Sequence, residues 1–586
     1  MYTDVYQPSP PNNVAIADIF HHMAACYRYM GKDHYDQVQA YDRAATCLRR
    51  LPVDIEVFRS RLREVTGLTD VIRGEIMEYL EAGCIQHYQR FKNKVPFELL
   101  ELLEIKGFGP STVKLLHETC GIQNKDQLIT ALQYGRLDDV GEISPVKLDL
   151  LKRSLKLHKT SSNRLLLWDA LLQGNEILRV LRLVKGVAHA EIAGSLRRGC
   201  ETIGDLDIVL QVDEQEREQV TAQILQLPHI ESVVLSGRNR ICVVLYNHTQ
   251  LDIRMAGATA FGASWLYFTG SREHLLHLSD LAEQKGFTLS PEGLFDSMGN
   301  HVAGANEEGI YQQLDIAFIP AELRESGKEI RRAARHMLPN LLAHHQIKGD
   351  LRMHVDEHLH DSIATTAHYV MNAFPHYEYI VAAAHGDTQD KKGLAAWISN
   401  IDRINEQIGW TFLKKGLTVE ILQDGTPALP ASLLQQFDWV TGIVLKDTDK
   451  EVTQRLLTAC EHPFIHCIGN PSNRIIGRKK PSVVNWELLF EKAAATATAL
   501  EINAQPCRMD LRDEWVRRAV EKKVYLAIGS CAAIMRQVDY MQLGVTLARR
   551  GWCKCENILN TMHWDAIEQF KLSRENALSL TNIKHV

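Results

Sequence analysis

The most restrictive stretch of this chain is a glycine–serine turn that leads into a strand bearing two aspartates. Gly194-Ser195-Leu196-Arg197-Arg198-Gly199 passes through Glu201 and Gly204 to Asp205-Leu206-Asp207-Ile208-Val209-Leu210. Residues i and i+2 of a strand share a face, so Asp205 and Asp207 project together while the apolar continuation buries the strand. Two carboxylates on one face make a hard-oxygen site of the kind Mg²⁺ takes. A later stretch, Gln250-Leu251-Asp252-Ile253-Arg254, reads as a second strand with a third carboxylate. Three convergent carboxylates can hold two divalent ions ~3.5–4 Å apart, one activating an attacking hydroxyl and the other neutralising a transferred phosphate. Gly194-Ser195 is expected to open a helix whose amides face a triphosphate, with Arg198 adding a cation. An Asp-x-Asp pair alone is more often a solvated strand end; the combination carries the specificity.

The rest of the chain has to accommodate that site. Its 586 residues exceed a single domain and suggest several. Residues 14–160 show apolar positions at helical spacing, as in 97–103 and 112–116. Residues 187–255 change to short β-branched runs such as 207–212 and 241–246. Residues 322–346 are charged and read as a helical connector interrupted by Pro339. From about 349, short apolar runs (379–384, 417–422, 439–445, 464–468, 524–528) alternate with helical stretches, which predicts an α/β domain of barrel type. No apolar run is long enough to span a bilayer and the N-terminus lacks a leader pattern, so the expectation is a cytoplasmic protein without membrane contact. Twelve cysteines carry no metal-type pairing, the nearest approach being Cys553-Lys-Cys555, and reduced thiols are expected. A net charge of −6 neither advertises nor excludes nucleic-acid binding, because local basic patches and backbone amides bind phosphates inside acidic chains.

The segment Leu102-Leu103-Glu104-Ile105-Lys106-Gly107-Phe108-Gly109-Pro110-Ser111-Thr112-Val113 joins an apolar helix end to a second helix through a Gly-x-Gly turn. Gly107 and Gly109 permit a tight turn with exposed amides, and Pro110 and Ser111 suit a first helical turn. Such a turn can hold one DNA phosphate without reading sequence; a plain helix–turn–helix connection explains it equally well. Gly67-Leu68-Thr69, before the helical 72–80, and Val140-Gly141-Glu142-Ile143 are weaker copies lacking the second glycine.

Taken together, these motifs resemble the bacterial family X DNA polymerases, the group related to DNA polymerase beta, followed by a polymerase-and-histidinol-phosphatase (PHP) domain; the resemblance spans nearly the whole chain. It implies a multidomain fold: a helical N-terminal DNA-end-binding domain (1–85), a helix-hairpin-helix domain (86–165), an α+β nucleotidyltransferase palm (166–257), a nucleotide-selecting subdomain (258–325), a linker (326–348) and a PHP-type distorted β/α barrel (349–586). It implies Asp205, Asp207 and Asp252 as catalytic metal ligands for two Mg²⁺ or Mn²⁺ ions. Gly194, Ser195 and Arg198 would bind the nucleotide. Tyr267-Phe268-Thr269-Gly270-Ser271 would lie under its sugar, and Gly107, Gly109 and Ser111 would meet the DNA backbone. Pro320-Ala321-Glu322-Leu323-Arg324-Glu325 is similar to the family's own junction.

The chain also departs from that pattern. Glu75 stands where lyase-active relatives carry a Schiff-base lysine, and a carboxylate forms no imine. Leu275 and Ser279 replace the Asn and Arg that meet the minor-groove edge of the new pair, and Pro291 replaces a glutamate. In the PHP-like part the skeleton persists in Gly349-Asp350-Leu351, Gly469, Pro471, Glu501-Ile502-Asn503-Ala504, Pro506, Arg508, Asp510 and Arg550. Its ligand positions do not persist: Arg352, Ala384, Thr418, Leu445, Asn470, Cys531 and Ala533 stand at them, with His354 and His385 left. No metal cluster is therefore expected there. The run from His354 to His360 reads as solvated surface. The expected activity is template-directed addition of dNTPs to primer 3′ ends in short gaps during DNA repair, by a monomer acting on gapped or primed DNA. The alternative is a DNA-end-binding pseudoenzyme or scaffold with decayed activities. A nucleotidyltransferase acting on RNA or a small acceptor fits the aspartates but not the hairpins or the PHP-like tail.

Overall fold

The computed structural model describes the chain apart from residues 1–10, 32–33, 52–53, 60, 66–67, 93–94, 96–98, 101–109, 125–126, 129–130, 132–136, 138–163, 355–362, 387–390, 446–451 and 584–586. It divides into two compact units, 1–163 and 164–586.

The first unit is helical where described: Pro11–Met30, Tyr35–Arg50, Asp70–Ala82, Gln86–Lys92 and Pro110–Glu118 are its α-helices. Helix Asp70–Ala82 shows why the boundaries fall where they do. The Thr69 hydroxyl accepts from the Ile72 amide at its start, and Gly83 ends it in the left-handed region at φ 68°. Ile72 and Ile76 then face a core shared with Phe20, Met23, Leu48 and Leu116.

Among the described residues, every strand lies in the second unit. β1 (Leu165–Leu166) pairs with β3 (Thr202–Ile203). A five-stranded sheet runs in the order β2-β4-β7-β6-β5, formed by β2 (Val187–Ile192), β4 (Asp205–Val212), β5 (Ile230–Ser236), β6 (Arg240–Leu245) and β7 (Gln250–Ala256). β4 and β7 are parallel and the other pairs antiparallel. Helices Phe261–Thr269, Arg272–Gln284 and Glu307–Gln313 follow, with a small antiparallel sheet of β8 (Phe287–Ser290), β9 (Gly293–Asp296) and β10 (His301–Ala303).

Seven parallel strands then run in sequence order: β11 (Gly349–Met353), β12 (Tyr379–Gly386), β13 (Leu413–Glu420), β14 (Trp439–Ile443), β15 (Cys467–Gly469), β16 (Ala499–Asn503) and β17 (Leu526–Gly529). The Cys531 amide donates to the Arg352 carbonyl at 2.9 Å, carrying the chain after β17 back to β11, so the barrel is nearly closed. The expected helical region, mixed palm sheet and barrel-type α/β domain are all present. Two of the differences from expectation have a visible cause. The run 464–468 becomes a strand only from Cys467, because the amides of Ile465 and His466 bond to His462 and Val440 carbonyls. The segment read as a helical connector is α-helical only over Lys328–Ala333, where Ile330 and Ala333 are buried in one core with Leu278, Ile310 and Trp552. No helix among the described residues is long and apolar enough to cross a membrane.

Candidate active site

Leu206, Ile208, Leu251 and Ile253 alternate into the palm core. The pleat therefore drives the intervening aspartates to the opposite face. Parallel register sets Asp207 opposite Asp252 and Asp205 opposite Gln250. The three carboxylates are crowded and partly shielded from water. Burial, then the charges of Asp205 and Asp252, push Asp207 up to about 8. Burial and Asp252 also raise Asp205. Like charges in a shielded site resist full ionisation, which is the electrostatic demand that a cation relieves.

Part of that demand is met by arginines that sequence reading passed over. Arg240 Nε donates to both Asp252 oxygens at 3.1 and 3.0 Å, with Nη2 also on Oδ2. Arg254 Nε lies 3.2 Å from Asp252 Oδ1, and its guanidinium sits over the Phe268 ring at 4.4 Å from the centroid. Arg254 was legible as the i+2 neighbour of Asp252. Arg240 arrives from β6, whose Cys242 is the register partner of Asp252, and no local pattern reveals it. Among the described residues, no three His, Cys, Asp or Glu side chains are arranged to hold a metal ion. The carboxylates fit divalent cations in donor type and charge, but Asp252 is turned onto its arginines.

The glycine–serine turn meets these strands directly. Gly194 has φ +60°, and a Cβ there would overlap the Asp207 carboxylate. The Ala193 amide donates to the Asp207 carbonyl at 2.8 Å. The helix Gly194–Arg197 is a single turn, with Ser195 half-buried in it. Arg198 leaves the turn toward the expected sugar-binding segment: Nη1 donates to the Thr269 carbonyl at 2.8 Å and Nε to Glu325 Oε1 at 3.0 Å. Tyr267 and Phe268 are half-buried on helix Phe261–Thr269, and Gly270 ends that helix where a Cβ would press on His274. Arg197 also meets Thr269, its Nη1 donating to the hydroxyl at 2.9 Å. It grips Glu307 through two bonds of 2.7 and 2.8 Å and lies over the Trp265 ring at 3.4 Å. Arg324, fully buried, grips the same carboxylate at 2.7 and 2.9 Å. Trp265 Nε1 donates to the Ile192 carbonyl at 2.8 Å, so β2 and this helix share one clasp. Leu275 and Ser279 are half-buried on helix Arg272–Gln284, Leu275 against the apolar core.

Other expected positions fall in the sequence range of the first unit. Ser111 is exposed in the first turn of Pro110–Glu118, while Gly107, Gly109, Gly67 and Gly141 lie outside the described residues. Glu75 is buried: Tyr41 Oη donates to it at 2.9 Å and His87 Nδ1 lies 2.7 Å away.

At the barrel mouth, Arg352 Nη1 donates to both Glu501 oxygens at 2.9 and 2.7 Å, and its Nε to His354 Nε2 at 3.0 Å. The His354 and His385 rings stack 4.3 Å apart. Burial, Arg352 and His385 hold His354 well below the usual histidine range. Asn470 joins the cluster by donating its amide to Glu501 at 2.9 Å. A guanidinium thus bonds both the Glu501 carboxylate and the His354 imidazole, on which the His385 ring is stacked. Of the run to His360, only His354 is among the described residues.

Comparison with known proteins bears on the same segments. The family model described as DNA polymerase beta thumb matches residues 264–325. Over 563 residues the chain is 28% identical to the DNA polymerase/3′-5′ exonuclease PolX of Bacillus subtilis (strain 168), covering 93% of this chain and 97% of that protein. It is 24% identical over 331 residues to the DNA polymerase lambda of Arabidopsis thaliana, covering 51% of this chain and 58% of that one.

Proposed function

Since the chain is a DNA polymerase of family X with a thumb of the polymerase beta type, we propose that it fills short gaps in damaged DNA by adding dNTPs to the primer 3′-OH. The observation that carries this reading is the placement of Asp205, Asp207 and Asp252 on one sheet face, with Gly194 against Asp207. Asp205 and Asp207 would hold divalent ions, joined by Asp252 once it exchanges Arg240 and Arg254 for metal. The bound ions would lower the pKa of the primer hydroxyl and neutralise the triphosphate. The turn at Gly194-Ser195 and Arg198 would bind the phosphates, and Tyr267, Phe268 and Gly270 would support the sugar. Domain limits follow the sequence: DNA-end binding and hairpin contacts in 1–165, palm to 257, nucleotide selection to 325. Ser111, with Gly107 and Gly109, would take a backbone phosphate.

The 3′-5′ exonuclease in the name of the Bacillus subtilis relative is not carried over. In this chain the Arg352 guanidinium stands among Glu501, His354 and His385, where a cation would be repelled.

The test is primer extension on a gapped duplex in Mg²⁺ or Mn²⁺. Wild type is expected to extend, and Asp205→Ala, Asp207→Ala and Asp252→Ala to lose most activity while folding normally. Equal extension by all three variants would falsify the site. The second reading, a DNA-end-binding scaffold, draws on the double arginine hold on Asp252 and on Leu275 and Ser279; tight gap binding without extension in either metal would favour it.

A further inference from the structure

The glycine–serine turn is not held by the palm alone. Its far end is seated on helix Met541–Arg550 of the C-terminal domain. A Cβ on Gly199, at φ +66°, would overlap the Thr546 methyl. Arg550 Nη1 donates to the Arg198 carbonyl at 2.8 Å and to Glu325 Oε1 at 2.9 Å. That same Glu325 oxygen receives Arg198 Nε at 3.0 Å. Arg550 is in turn fixed by Asp513, which takes Nε and Nη2 at 2.9 and 2.7 Å. Just beyond the turn, Arg474 reaches Glu201 at 2.7 Å. The Arg550 and Arg198 side chains are 10% and 14% exposed, so water does not compete strongly for these bonds.

We propose that Arg550 is a positioning residue for nucleotide binding, by which the C-terminal domain sets the backbone and guanidinium of Arg198. This rests on the reading of the turn as the triphosphate site. Two mechanisms act together. The bond to the Arg198 carbonyl pins the turn on the side away from Asp207. Sharing one Glu325 oxygen divides that carboxylate's pull, so Arg198 keeps charge to offer an incoming triphosphate. Without Arg550, Glu325 closes fully on Arg198 and the turn loses its outer support. A domain whose barrel mouth holds an ion pair thereby serves the polymerase site through its last barrel helices.

Arg549, one residue earlier, is the internal control. It bonds Glu322 and the Leu342 carbonyl but not the turn. The experiment measures binding of dTTP with Mg²⁺ to the full chain on gapped DNA ending in a dideoxy primer, alongside primer extension and thermal unfolding. Arg550→Ala is expected to raise the dTTP dissociation constant roughly tenfold or more, equivalent to ~1.4 kcal/mol, with KM rising more than kcat falls. Arg550→Lys is expected to recover part of the loss, and Arg549→Gln to bind dTTP as wild type does. Unchanged dTTP affinity in Arg550→Ala overturns the proposal. So does equal weakening in Arg549→Gln, which would mark a general loosening of the domain contact. Because affinity is read without turnover, failure of extension in wild type would sink the polymerase reading while leaving the Arg550 comparison decisive.

Discussion

The close approach of Gly194 to Asp207 is a single-atom constraint with a catalytic consequence. Any side chain at 194 must displace the Asp207 carboxylate, and the positive φ adds backbone strain. Gly194→Ala is therefore predicted to lower kcat for primer extension about a hundredfold, the scale of a ~1 Å misplacement of a reacting group. Circular dichroism and the melting temperature would show whether the fold survives; near-wild-type extension would mean that Asp207 does not need its present position. Arg240 extends the logic. It neutralises Asp252 in the absence of metal, so Arg240→Gln is expected to strengthen Mn²⁺ binding in a calorimetric titration and to cost some stability. Weaker Mn²⁺ binding would instead assign Arg240 to the bound state.

At the scale of elements, the clasp of Arg197, Glu307 and Arg324 joins the single-turn helix Gly194–Arg197 to helix Glu307–Gln313. Burial pushes Glu307 up, but hydrogen bonds and charge from Arg197 and Arg324 hold it down to about 2. An unfolded glutamate titrates near ~4.3. The depressed value means the clasp's stabilisation is fully present above that pH and is lost as pH falls toward about 2. Glu307→Gln leaves two shielded arginines without their charge partner and is predicted to cost ~3–5 kcal/mol in denaturant unfolding. It should also flatten the acid limb of the stability profile; an unchanged limb would place the wild-type acid transition elsewhere. On helix Arg272–Gln284, Leu275 carries no polar side-chain group and Ser279 only a short hydroxyl. Leu275→Asn with Ser279→Arg is predicted to improve dNTP efficiency or fidelity by up to about tenfold, the value of a hydrogen bond to an otherwise unmet acceptor. No change in single-nucleotide incorporation would mean that other residues align the pair.

Across the whole molecule, two regions expected from relatives' chemistry are filled by partnered polar groups. Glu75, between Tyr41 and His87, occupies the position where a Schiff-base lysine was looked for. Borohydride trapping on a 5′-deoxyribose-phosphate end is predicted to give no adduct with the N-terminal unit, and a stable adduct there would send the search to another lysine. In the barrel, Arg352 and Glu501 form a buried pair. Arg352→Ala is predicted to destabilise the chain by ~3–5 kcal/mol, because it strands a buried carboxylate. An Asp205→Ala chain in Mn²⁺ is predicted to release no nucleotides from 3′ ends; release abolished by His385→Ala would restore the barrel as a nuclease.

The sequence alone determined the strand pair carrying Asp205, Asp207 and Asp252, since strand alternation is local and apolar neighbours dictate which face is buried. The resemblance to family X polymerases pointed to the loss of ligand residues along the barrel strands, whereas the glycine requirement at 194 emerged only with the fold. The succession of a helical region, a mixed sheet and a barrel-type α/β domain was legible because each element's period is written in its own residues. Tertiary structure alone decided which distant charges meet. Arg240 reaches Asp252 through hairpin register, Glu307 collects Arg197 and Arg324, and Arg550 reaches Arg198 across 352 positions of chain. Segment 326–348 looked like a connector because its charges dominate its pattern, yet Ile330 and Ala333 are buried. Ion pairs leave no periodic trace, because a charge can be answered by any opposite charge the fold delivers, from any separation along the chain.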